Sequence, residues 1–338
     1  MRFLLSSLIG LLLFSCNNEK GIPDVSNIKV TLSVQRFEKD LFKADTNQLA
    51  VQLEQVIAKY PSFGEDFMVL ILNADPRWGG DTINMYVREF IRSHRMVYDS
   101  AEKIFADFSP YEKQIKSALQ FLNYYYPRYK APSKIITYIG PLDGYGDILS
   151  EDAFIVGLHQ HMGKDFSLYK TGWVQETYPT YISNRFEPDY IVINCMKNVI
   201  TDEGMFPEKK DESSLVVQMV EKGKRLYLLS KLLPYTDEYK LIGYTEKQLK
   251  DCYEHEAAIW DLFVQNNFLQ TIDNNLIKNY VGEGPKTQEL GEASPGNIGS
   301  FAGWQIVKKY MEKNPKVKLQ QMMTTDAETI FRESKYKP

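Results

Sequence analysis

The sequence predicts an α+β fold, mostly helical, built around a small sheet. Three observations carry this. Through most of the second half, apolar residues recur at helical spacing between recognisable caps and stops. Only residues 29–34 and 134–139, with a short third run after the second, have the pattern of strands. A composition of 43% hydrophobic, 25% charged and 13% aromatic residues over 338 positions supplies a sizeable core. No low-complexity linker, repeat or second hydrophobic span divides the chain, so residues 28–338 are expected to form one domain.

The chain opens "MRFLLSSLIGLLLFSCNNEK". Arg2 precedes an apolar run from Phe3 to Phe14 that, at about 12 apolar residues, falls short of the roughly 20 a spanning helix needs. It therefore reads as a secretion signal. Leu13-Phe14-Ser15-Cys16 has the form of a lipobox, which predicts removal of residues 1–15 and acylation of Cys16. Residues 16–27 then form a lipidated polar tether, and two or more acyl chains anchor a protein stably. Asn17 follows the lipidated cysteine in place of the Asp that holds enteric lipoproteins at the inner membrane. An outer-membrane anchor facing the periplasm is the expectation.

Formal charge is −4, or −5 once Arg2 leaves with the signal. A mildly acidic chain with no basic stripe excludes the nucleic-acid binders. Beyond Cys16 only Cys195 and Cys252 remain. An oxidising compartment would let them pair, but both stand in apolar segments, where a small buried hydrophobe is the simpler reading.

In "NIKVTLSVQRF", Val30, Leu32 and Val34 alternate with polar residues as in a half-buried strand. A helix from Thr46 places Leu49, Leu53, Val56 and Ile57 on one face and stops at Pro61. Further helices are expected over 82–106 and 110–126, the second ended by Pro127. "SKIITYIG" gives a strand over 134–139, and "GPLDGYGDIL" a glycine-rich turn into a short third strand. In "SEDAFIVGLHQHMGKDF", Ser150 suits an N-cap, Glu151 and Asp152 the first turn, and Gly163 the stop, which predicts a helix carrying His159 and His161. Helices follow from Ser213 or Ser214 to Pro234, from Thr245 with Gln248 in capping-box spacing, and from Ser294 with Pro295 in first position. Gly223 marks a point of close packing or bending, and Gly299, Ala302 and Gly303 give the last helix a small-residue face.

The chemistry candidates are few. A zinc hydrolase helix reads H-E-x-x-H, because i and i+4 imidazoles share a face and the Glu serves as base. Neither register laid on "GLHQHMG" keeps both histidines and the Glu. Two residues apart on a helix, His159 and His161 point about 200° from one another and cannot clasp one ion. Structural or hydrogen-bonding histidines are the expectation, and His94 and His255 are distant in sequence. Glu256 falls on the stripe of Cys252, Trp260 and Phe263, where a buried carboxylate needs a partner, and Arg185 in "SNRFEP" is a candidate. A Glu snorkelling from the stripe's edge remains the alternative. Tyrosine-rich pieces such as "NYYYPRY" suit a binding surface for cell-wall glycan or peptide, or simply the core. There is no Walker loop, dinucleotide fingerprint or nucleophile elbow.

Taken together, "LFSC", "VQRFEKDLF", "EDAFIVGLHQHMGKDFSLY", "LLPYTDEYKLIGYTEKQLKDCYEHEAAIWDLFVQNNFLQ", "ASPGNIGSFAGWQIVKKYMEKNP" and "ESKYKP" resemble the gliding-motility lipoprotein family GldB of Bacteroidota. The resemblance implies a lipoprotein needed for surface gliding, working with the envelope machinery coupled to type IX secretion, with no catalytic residue to carry over. More distantly, such chains resemble predicted zinc peptidases. That layout has a small sheet, an H-E-x-x-H helix beside its edge strand, and a ligand Glu, often before Gly, on a later helix. In "VEKGK" Lys222 precedes Gly223 and Glu221 lies one step off. The resemblance thus implies a zincin-like helix arrangement with its metal site lost, leaving His159, His161, Glu221, Glu256 and Arg185 as a vestigial or buried polar set. No metal or cofactor is expected. A membrane-anchored binding component of the gliding apparatus is the function implied, and a zinc-dependent envelope peptidase is the alternative.

Overall fold

The structure, a computed structural model, describes residues 21–202, 205–206 and 213–338. The signal of residues 1–15, the lipidation site Cys16 and the start of the tether lie outside the described residues. The tether's later part is not free: Val25 is buried, and Ile22 packs against the core.

Four strands, β1 (Ser33–Arg36), β2 (Lys134–Tyr138), β3 (Ile148–Leu149) and β4 (Ala153–Gly157), form one sheet in the order β1-β2-β4-β3. β1, β2 and β4 run parallel, with Ser33 opposite Lys134 and Lys134 opposite Ala153, and β3 is the antiparallel edge. Between β1 and β2 the chain forms α1 (Phe37–Lys43), α2 (Leu49–Lys59), α3 (Gly64–Asp66), α4 (Gly80–Ser93), α5 (Arg95–Ile104) and α6 (Ser109–Tyr125). After β4 come α7 (Gly172–Thr177), α8 (Thr180–Ser183), α9 (Tyr190–Ile200), α10 (Leu215–Leu232), α11 (Glu238–Ile242), α12 (Glu246–Glu254) and α13 (Glu256–Gln265). α14 (Asn274–Val281), α15 (Ile298–Lys313), α16 (Leu319–Thr324) and α17 (Ala327–Ser334) complete the chain. The fold is mostly helical α+β, as its sequence pattern requires.

The largest departure is the stretch from Ser150 to Gly163, which is not a helix. Ala153 to Gly157 is the buried strand β4, and only Leu158–Gln160 make a single 3-10 turn. A parallel strand buried on both faces shows an unbroken apolar run, and "AFIVG" is one. The residues that resemble caps serve other ends. Ser150 Oγ closes the β3–β4 turn on Ala153, and Asp152 accepts from Lys134 Nζ at 2.7 Å and Ser62 Oγ at 2.7 Å.

Smaller departures have similarly local causes. The first strand spans only Ser33–Arg36, and α1 starts directly after it because Phe37, Leu41 and Phe42 seek the core. The helix expected over 82–106 breaks at His94, whose ring stacks on Phe90 at 4.3 Å, and the helix from Thr245 breaks at His255. Thr245 and Gln248 do form a capping box. Ser294 and Pro295 do not start α15. Ser294 Oγ instead donates to Gly291 O at 2.6 Å, and the helix begins after Asn297 in the left-handed region.

α10 and α15 form the central helix pair. The small-residue face of α15 meets the glycine of α10: a Cβ at Gly303 would run into the Met219 carbonyl, and one at Gly223 into that of Gly303. Backbone-to-backbone approach of this kind tolerates glycine alone. Cys195 and Cys252 are both free and buried. Among the described residues no helix is long and apolar enough to cross a membrane.

Candidate functional site

The glycine-rich loop after β2, residues 140–147, is clamped by the turn that follows β4. His159 Nδ1 accepts from Gly140 N at 3.1 Å, and its Nε2 faces the Tyr145 carbonyl at 3.0 Å. Gln160 Nε2 donates to Gly144 O at 3.0 Å, joined there by the Tyr178 hydroxyl. Tyr138, on β2, donates to the carbonyls of Tyr145 and Gly146. Gly157 is needed where the two segments touch, because a Cβ there would lie 2.9 Å from the Gly146 carbonyl oxygen.

At the end of this loop Asp147 reaches into the fold. Its carboxylate accepts from His161 Nε2 at 2.8 Å, from Asn194 Nδ2 at 2.9 Å and from Gly157 N at 3.1 Å. His161 Nδ1 faces the Glu187 carbonyl at 3.1 Å. Both ring nitrogens thus face oxygens, which suits the doubly protonated imidazolium. Burial pulls the His161 pKa down, but the charge and hydrogen bond of Asp147 outweigh it, so the net shift is upward. The pair is sealed, with side-chain exposures of 1% and 4%.

His159 behaves oppositely. Desolvation dominates and brings its pKa to about 3, so the ring is neutral, accepting at Nδ1 and donating at Nε2. His94, distant in sequence, lies near enough for its charge to be felt at His159. His255 is exposed at the α12–α13 break.

The remaining candidates do not converge on these rings. Glu221 accepts from Lys224 Nζ, one turn along α10, at 2.9 Å, and that ammonium also donates to Thr325 O. Glu256 is partnered, but not by Arg185: the Tyr336 hydroxyl donates to it at 2.5 Å, from the chain's C-terminal segment. Arg185 forms a two-pronged pair with Glu283, both contacts at 3.1 Å. Among the described residues no three His, Cys, Asp or Glu side chains are grouped to hold a metal ion.

Three participants were not singled out by their sequence. Asp147 sits in a turn that looks merely glycine-rich. Asn194 and Asn198, one helical turn apart on α9, both serve it, the first through the carboxylate and the second through the Asp147 carbonyl at 3.0 Å. α9 packs against the edge strand β3. Glu38 is a separate buried carboxylate, held by Arg36 Nε at 2.6 Å and Thr137 Oγ1 at 2.7 Å, with its pKa raised by burial.

Residues between Lys164 and Glu246 line a cavity of about 850 Å³, bounded by Tyr169, Ser183, Tyr190, Tyr239, Lys240 and Tyr244. A smaller one of about 130 Å³, sharing Asn184, Tyr190, Tyr244 and Thr245, adjoins it and reaches Arg185 and Glu283.

The sequence model of the gliding motility protein GldB matches residues 18–338, and the chain belongs to that family. Neither the curated proteins nor the solved structures contain a match.

Proposed function

From membership in a family of gliding motility lipoproteins, we propose that the protein is a non-catalytic binding component of the envelope gliding and type IX secretion apparatus. It is anchored through acylated Cys16 in the outer membrane, facing the periplasm. Residues 28–338 act as one domain, and neither metal nor cofactor takes part.

One observation carries the non-catalytic part. In the peptidase layout the ligand helix lies beside the edge strand; the helix that packs against the edge strand β3 in this chain, α9, reads Asn194-Cys195-Met196-Lys197-Asn198. Laid on H-E-x-x-H, both imidazole positions hold amides and the Glu position a buried thiol, whose pKa burial raises well above its usual value. Neutral amides are poor zinc ligands, and a protonated buried thiol is no general base. The two histidines beside them have every ring nitrogen engaged. The site resembles a metal site rebuilt as a hydrogen-bonded plug.

Two measurements test this. Cys195→Ala removes the group at the base position without leaving a polar orphan, so colony spreading should match the parent. Loss of spreading at normal protein level would sink the non-catalytic reading. Cys16→Ser should release the protein from membranes and abolish spreading; a Cys16→Ser strain that spreads normally would remove the anchor from the function. The metallopeptidase alternative requires zinc near one equivalent in gently purified protein, and less than a tenth is expected.

A further inference from the structure

Val25 is buried in the core, and Gln120 Nε2, on α6, donates to Ile28 O at 2.9 Å. Towards the N-terminus the chain follows α6 to that helix's C-terminal end. There Gly21 shares a cavity of about 200 Å³ with Tyr125, Ser230, Lys231, Pro234 and Glu238. The last turn of α6 and the turn between α10 and α11 thus frame exposed Gly21, the residue nearest the anchor among those described.

The length of chain between Gly21 and the anchor decides which side of the domain can meet a membrane. Five residue steps separate Gly21 from Cys16. At about 3.3–3.6 Å per residue they hold Gly21 within roughly 18 Å of an acylated Cys16 at the headgroups, whatever path they take. One domain of this length has a radius of gyration of about 20 Å, equivalent to a sphere of about 25 Å radius. Turned on its side, the domain would carry Gly21 about 25 Å from the surface, beyond that reach. Gly21 therefore stays on the side that faces the membrane.

The surface around Gly21 has the chemistry of a bilayer interface. Tyr124 and Tyr235, chain neighbours of cavity-lining Tyr125 and Pro234, are 50% and 74% exposed. The Tyr124 ring packs edge-on against Tyr125 at 5.0 Å, and that of Tyr235 against Phe121, one turn earlier on α6, at 6.2 Å. Neither hydroxyl has a hydrogen-bond partner among the described residues. A ring with an apolar body and a free polar tip is what the headgroup region accepts. Charge here is mixed, with Lys231 and Glu238 at the cavity and Asp24 and Asp237 exposed beside it, so no preference for anionic lipid is expected.

We propose that this surface, made by the end of α6 and the α10–α11 turn, lies on the phospholipid headgroups, with Tyr124 and Tyr235 seated among them. The assignment rests on the acylation of Cys16 proposed above. The tether confines the domain to one orientation, and the tyrosines hold it there.

The test uses the full-length lipidated protein in phosphatidylcholine vesicles, some of whose headgroups carry a nitroxide quencher. A thiol-reactive fluorophore is placed at Asp237→Cys or at Ile272→Cys, both exposed positions. Ile272 follows Thr271, whose carbonyl accepts from the Leu215 amide at the other end of α10, about 25 Å from the proposed surface. Cys195 and Cys252 are buried. Quenching should be at least about twofold stronger at Asp237→Cys than at Ile272→Cys. Inserting about 20 Gly and Ser residues after Asn18 relaxes the tether by about 25 Å of average reach. With that insert the Asp237→Cys label should remain the more quenched, and adding Tyr124→Ser and Tyr235→Ser should make the two labels equal. Both tyrosines are exposed, so the melting temperature should stay at the parent's, which separates lost lipid contact from lost folding. Equal quenching on the natural tether overturns the proposal. So do labels already equal on the lengthened tether with both tyrosines present, or a difference that survives their replacement. Failure of the unsubstituted protein to float with the vesicles removes the anchor reading itself, whereas flotation that depends on Cys16 with equally quenched labels removes the surface assignment alone.

Discussion

Asp147→Ala should be among the most damaging single substitutions outside the apolar core. The carboxylate is the common acceptor of His161, Asn194 and the Gly157 amide. Its loss strands three donors in a site where the imidazole is 1% exposed. An orphaned buried donor costs about 1–3 kcal/mol, and removing one partner of a buried ion pair about 3–5 kcal/mol. The imidazole escapes part of the penalty by losing a proton at Nε2 while still donating from Nδ1 to Glu187 O, so the total is about 3–5 kcal/mol rather than the sum. At about 2–4 °C per kcal/mol for chains of 150–250 residues, that is a fall of about 10 °C in Tm. Urea unfolding of lipid-free Cys16→Ser protein, followed by tryptophan fluorescence, measures it. A double-mutant cycle with His161→Leu should give a coupling energy of about 2 kcal/mol or more, because both changes dismantle one network. A loss below about 1 kcal/mol, or additive effects, would refute the buried ion pair. A His161→Ala strain that fails to spread accordingly reports on folding first.

His159 makes the opposite pH statement. Its folded pKa of about 3 lies below the unfolded 6.5, so its contribution is complete above pH 6.5 and lost as the pH falls towards 3, about 2 kcal/mol of it by pH 5. His159→Gln should lose about that much less than the parent between pH 7 and 5 in urea titrations; parallel curves would contradict a buried neutral ring. Gly303→Ala drives a methyl into the Met219 carbonyl across the α10–α15 contact, and soluble yield should collapse, whereas a Tm within about 3 °C of the parent would show that the helices can part cheaply. Cys195 and Cys252 should resist a thiol reagent in the native protein and both react in denaturant, and prompt native labelling would show the α9 or α12 interior to be open.

Much of the helical frame was legible because caps and stops are local chemistry. The Thr245–Gln248 box forms as its spacing requires, and the small face of the last helix does meet other backbone, Gly303 against Met219 and Gly223, and Gly299 against Tyr280. What misled was a coincidence of signals around β4. Ser150, Glu151, Asp152 and Gly163 have helix-end identities, yet "AFIVG" between them is a central parallel strand, buried on both faces and so lacking any alternation. Strand pairing is decided by β2, whose paired residues are 19 positions away, and no local count contains that. The partner of Glu256 was unreadable for the same reason, since Tyr336 reaches it from 80 residues further along.

The polar centre shows a different failure, one of search key rather than range. Looking for a metal helix by its histidines leads to His159 and His161, which lie on a turn. Looking by position, beside the edge strand, leads to α9, where Asn194 and Asn198 stand one turn apart. The spacing has physical use without a metal. Two amides one turn apart can donate together to a single residue, and here they hold the Asp147 side chain and its own carbonyl, fixing the glycine-rich loop to the helix. His161 then supplies the positive charge that an ion would otherwise bring to that carboxylate. An acidic loop residue, two amides and an imidazolium thus satisfy one another internally.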